Sequence, residues 1–140
     1  ELISSNQFAG ATRDTAKRAA ETMLNRYGDQ LQGIFTPNES STYGTLLALE
    51  DLKKQGKIKF IGFDTSDAFI TALRDGKMQG LIVQNPFRMG ELGVNTIVNH
   101  LLGKPVEKNV DTGVQLISPD NLDAPESQQL LHPPLDKYLS

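Results

Sequence analysis

Four short stretches of this 140-residue chain carry side chains able to hold a small polar molecule. They are Asn6 and Gln7; Thr36, Asn38 and Glu39 around Pro37; Phe63, Asp64 and Thr65; and Gln84 with Asn85 ahead of Pro86. Amides donate and accept hydrogen bonds, a carboxylate can accept two hydroxyl donors, and an aromatic ring covers an apolar face. No glycine-rich phosphate loop or arginine fork accompanies them. The inventory suits a neutral polyhydroxylated molecule better than a phosphate.

Each residue also has a plainer reading. Asn38 fits an ordinary turn after Pro37. Asp64 fits an Asx turn, although Ser66 or Asp67 is better placed to cap the helix that follows. Gln84, Asn85 and Pro86 can simply end a strand, and Phe63 can be core. Their shared position, just at or past successive strands, is what favours a ligand site. Other chemistry has less support. His100 falls within a helical stretch and His132 in a proline-flanked tail. No Ser-His-Asp order, metal-ligand spacing or nucleophile elbow occurs, and there is no cysteine.

The elements that position these residues alternate. Short apolar runs at 1–5, 31–36, 57–63, 80–84 and 112–118 read as strands. Apolar residues at three- and four-residue spacing read as helices over 12–27, 41–55, 67–75 and 89–102. Gly28, Gly56, Gly76 and Gly103 follow helical stretches as stop signals. Lys57, Lys77 and Lys104 come next to three of them and read as solvated charge near a helix end. Residues 119–140 are polar and proline-punctuated, so they read as largely irregular. Strands uniformly apolar and alternating with helices imply an α/β fold, a parallel sheet with helices on both faces. In such sheets ligands sit outside the carboxyl ends of the strands.

A net charge of -3 and a pI near 5.3 leave no basic footprint for nucleic acid. No apolar run approaches the roughly 18 residues of a membrane span. The chain starts at Glu1 within an apolar stretch and shows no signal peptide, which suggests a processed or cut chain.

"GIFTPNESSTYGTLLALEDLKKQGKIKFIGFD" followed by "ALRDGKMQGLIVQNPFRMGELGVNTIVNHLLGK" resembles the C-terminal half of periplasmic sugar-binding proteins of the ribose-binding type. That family serves ABC importers and shares its fold, periplasmic-binding-protein-like I, with the effector domains of LacI-type repressors. The resemblance implies two lobes closing on a sugar, of which 1–85 is part of the C-terminal lobe in flavodoxin-like strand order. Residues 86–118 then hold hinge crossings and a helix that packs on the missing N-terminal lobe, and 119–140 form a tail. It implies that Asn38 bonds sugar hydroxyls, Asp64 takes two adjacent hydroxyls, Phe63 lines the pocket and Gln84 stands at the hinge crossing.

The expected function is the solute-binding component of a sugar importer, outside the cytoplasm, with a sugar and a membrane permease as partners and no cofactor. The alternative is the ligand-sensing domain of a LacI-type regulator. "VQNPFRMG" running into an amphipathic helix favours the importer. A flavodoxin-like enzyme or receiver domain is a third reading. A receiver calls for an acidic pair after the first strand and a lysine after the last, and neither is evident. The lobe's own first βα unit also looks absent, so an open sheet edge and an orphan apolar helix face are expected. Either the chain exchanges elements with another copy or it is a remnant of a longer protein. Alone it should bind sugar weakly or not at all.

Overall fold

The computed structural model describes residues 1–4, 7–133 and 135–137. Three parallel strands form the centre: β1 (Gly33–Phe35), β2 (Lys59–Phe63) and β3 (Gly80–Gln84), paired in that order. Helices α1 (Arg13–Tyr27), α2 (Glu39–Asp51) and α3 (Asp67–Arg74) come in chain order before β1, β2 and β3. Helix α4 (Pro86–Leu101) then leads to strand β4 (Val114–Ile117) and helix α5 (Pro125–Leu131). The α/β class and the alternation expected from the sequence are both present.

The caps of α1, α3 and α4 are legible in residue chemistry. Thr12 and Thr15 form a reciprocal capping box on α1, and Ser66 caps α3 by accepting from the Phe69 N–H. Asn85 caps α4, with Pro86 in its first turn where a missing N–H costs nothing. That is why α4 starts three residues before the expected position.

The buried face of the sheet carries Phe60, Leu81, Val83 and Ile117, which join Leu24, Leu49, Phe69, Leu73 and Met78 in one core. Helix α2 presses closely on both of its neighbours. A Cβ on Gly44 would lie 2.5 Å from the Arg13 carbonyl oxygen, so only glycine lets α1 approach there. Arg13 reinforces that contact by bonding Glu39 and lying 4.0 Å over the Tyr43 ring.

Four features differ from the sequence reading. Residues 1–4 form no strand, since no neighbouring strand pairs with them, and Ser5 lies outside the described residues. Strand β4 runs antiparallel to β3, because α4 and the following loop return the chain to the edge beside it. The core residues all lie on one face of the sheet. The opposite face leaves Phe35 60% and Val114 62% exposed, so the packed helices do not cover both faces. Finally, the described part of 119–140 is not largely irregular. Leu122 and Leu131 enter the core, Pro125 opens α5, and the buried Ser127 hydroxyl accepts from the Gln115 side-chain amide.

Candidate functional site

Parallel pairing brings the carboxyl ends of β1, β2 and β3 to one edge, where the expected site residues lie. Phe63 is registered with Ile82, and Gln84 stands two residues beyond on the same face. Both are half-buried, and Gln84 pairs across to Val114. The open face of the sheet therefore presents an aromatic ring and an amide together at its edge.

Asp64 comes next, with a left-handed φ of 65°. Aspartate tolerates this region better than most residues, and a turn there redirects the chain as it leaves the strand. Its backbone N–H donates to the Ile82 carbonyl at 2.9 Å, so the ladder holds the turn from the β3 side. Among the described residues its carboxylate has no hydrogen-bond or ion-pair partner. Ser66 does the capping of α3, so the Asp64 carboxylate takes no part in that cap. Beside it the Thr65 hydroxyl is buried and unpartnered among the described residues.

Asn38 occupies a different situation. Its side-chain oxygen accepts from the Ser41 N–H at 3.0 Å and from the Ser41 hydroxyl at 2.8 Å, capping α2. Only the amide nitrogen is left to meet a ligand, so Asn38 can donate to an oxygen but has little acceptor capacity left. The turn reading holds for its side-chain oxygen, and its amide nitrogen is the atom the expected site would use. Asn6 lies outside the described residues, and Gln7 is exposed.

Thr42 was not singled out by its sequence, yet it links these segments. Its fully buried hydroxyl lies 2.8 Å from the Asn38 carbonyl, 2.9 Å from the Phe63 nitrogen and 2.9 Å from the Thr36 hydroxyl. The available signal was a small hydroxyl residue in the first turn of a helix, facing the glycine of "IGF" in the next strand.

A hollow of roughly 480 Å³ lies between residues 7–10, α1 and β1, lined mainly by apolar groups such as Ala16, Ala19, Met23 and Ile34. Thr36, Pro37 and Asn38 line its rim as well, so it adjoins the strand-end set at Asn38 while the rest of its wall is mainly apolar. Among the described residues no cluster of three histidine, cysteine or acidic side chains could hold a metal. Among the described residues no helix is long and apolar enough to cross a membrane.

Residues 1–105 match the family described as periplasmic binding protein domain. The chain is 33% identical over 116 residues to the ribose import binding protein RbsB of Haemophilus influenzae, covering 83% of this chain and 39% of that protein. It is 31% identical over 107 residues to the fructose import binding protein FruE of Bifidobacterium longum, covering 76% of this chain and 32% of that one. Among solved structures, an ABC transporter solute-binding protein from Agrobacterium vitis with bound D-fucose superposes with a TM-score of 0.85. The identity is 32%, over 92% of this chain and 44% of the other. The chain thus spans about two-fifths of the length of the Haemophilus relative.

Proposed function

Because the chain belongs to the periplasmic binding protein domain family, we propose that it is the sugar-holding C-terminal lobe of a solute-binding protein that feeds an ABC importer. Its ligand is a monosaccharide or similar polyol, held between this lobe and an N-terminal lobe. Its role is binding, not catalysis. The place of action is outside the cytoplasm, and the closed, loaded form is what a membrane permease recognises.

One observation carries this reading: the Asp64 carboxylate, turned out of the strand at a left-handed φ, unpartnered among the described residues, beside Phe63. A carboxylate accepts hydrogen bonds only, and bonds to a charged acceptor are the stronger kind. Two neighbouring sugar hydroxyls satisfy it. Phe63 covers the sugar's apolar face, Gln84 offers both donor and acceptor, and Asn38 offers its amide N–H groups. A ligand lacking the hydroxyls leaves the carboxylate unpaired, which costs about 1–3 kcal/mol or more and supplies discrimination.

Helix α4 fits the same reading. None of its residues is buried, and Val94, Ile97, Val98 and Leu101 make an exposed apolar stripe suited to a second lobe. Without that lobe, the stripe and the open sheet face favour self-association.

Titration calorimetry against a panel of pentoses, hexoses and polyols tests the proposal. Saturable heat with one sugar, weakened by Asp64→Ala, is expected. An affinity for the best sugar that survives Asp64→Ala would refute the site.

A further inference from the structure

We infer that Thr42 is a positioning residue for the ligand lip, pinning Phe63 and Asp64 to the Asn38 turn. The inference rests on the sugar-site reading above and deepens it.

A hydroxyl has one proton and two acceptor positions. At Thr42 all three have partners. The Phe63 N–H donates to its oxygen at 2.9 Å, the Thr36 hydroxyl lies 2.9 Å away, and the Asn38 carbonyl accepts its proton at 2.8 Å. The Phe63 carbonyl, at 3.2 Å, is the weaker competitor for that proton.

The position of this hydroxyl in the ladder gives it its role. The Thr36 N–H donates to the Ile61 carbonyl at 3.2 Å, the last backbone bond between the β1 and β2 segments. The chain then leaves the sheet at Pro37, so no β1 carbonyl remains for the Phe63 N–H. Thr42, from the first turn of α2, supplies an oxygen in its place. On the other side the Asp64 N–H is held by Ile82. The two residues that would touch the sugar are thereby fixed from both flanks, one by backbone and one by a single side chain. Gly62 makes the approach possible, because a Cβ there would lie 2.4 Å from the Thr42 Cγ2.

Thr42→Val keeps the shape and removes the oxygen, leaving the Phe63 N–H and the Thr36 hydroxyl without that partner. Thr42→Ser restores the oxygen and serves as the rescue. Amide hydrogen exchange followed by NMR reads the pin directly. Expected for Thr42→Val is exchange at Phe63 faster by about tenfold, with Phe60 and Leu81 amides unchanged. Titration with D-ribose, D-fructose and D-fucose reads the consequence: affinity for the best-bound sugar should fall by about tenfold. Serine should return both values to near wild type. Thr42→Ala replaces the valine variant if that one does not fold.

Unchanged exchange at Phe63 overturns the pin. Faster exchange at all core amides together assigns Thr42 to general stability and overturns the positioning role. So does faster exchange at Phe63 with unaltered sugar affinity. If wild type responds to none of the three sugars while Phe63 loosens as expected, the pin stands and binding of these sugars by this lobe alone fails.

Discussion

Gly62 lies directly beneath Thr42, so close that a Cβ on Gly62 would stand 2.4 Å from the Thr42 methyl and 2.8 Å from the Met78 methyl. Helix α2 can therefore seat on β2 only where the strand has no side chain. Gly62→Ala should destabilise the fold by about 1–3 kcal/mol through overpacking. Urea unfolding reads it as a lower midpoint at an unchanged slope. A midpoint equal to wild type would mean the helix and strand are not in this contact.

Asp64 separates conformation from chemistry. Asparagine also tolerates the left-handed region, so Asp64→Asn should keep stability within about 0.5 kcal/mol. It should still lose most sugar affinity, because the charged acceptor is gone. Asp64→Val should cost stability, roughly 1–2 kcal/mol, because a β-branched residue is strained at a φ of 65°. Thermal melts of the two variants, run beside sugar titrations, distinguish these effects.

Thr65 offers the converse case. Its hydroxyl is buried without a partner among the described residues, so removing it gives up no described bond. Thr65→Val should be neutral or stabilising by up to about 1 kcal/mol. A loss above that, measured by urea unfolding, would show that the hydroxyl has a bond in solution.

The apolar stripe of α4 should govern association. Ile97 is 61% and Leu101 79% exposed, and neither contributes to the core. Light scattering should give a mass that rises with concentration for the wild-type chain. The double variant Ile97→Glu, Leu101→Glu should lower that mass without lowering the melting temperature. A wild-type mass that stays monomeric at all concentrations would remove self-association from the proposal.

Much of this architecture is legible in residue order. The spacing of Ala16, Ala20 and Leu24, and the short apolar runs around Phe60 and Leu81, place helices and strands because both faces of the pattern are local. Ser66 as the cap of α3, and Asp64 as a carboxylate left over, also follow from local rules. What residue order hides is non-local. The antiparallel course of β4 depends on where α4 returns the chain. The capture of 119–140 depends on Leu122 and Leu131 finding space in a core built elsewhere. The use of the Asn38 oxygen as the cap of α2, and the hydrogen bonds of Thr42, depend on directions that no spacing encodes.

Nitrogen–proton correlation spectra of the chain, recorded while a monosaccharide is added, test the central claim most directly, since they report both binding and its place. Half a cleft should give weak binding, of millimolar order and worth roughly 4 kcal/mol. The saturable shifts should be confined to the amides of Phe63, Asp64, Thr65 and Gln84 and the side-chain amide of Asn38, and should vanish in Asp64→Asn. Shifts centred instead on Ala19, Met23 and Ile34 in the hollow beside α1, or unchanged by Asp64→Asn, would contradict the sugar-holding lobe.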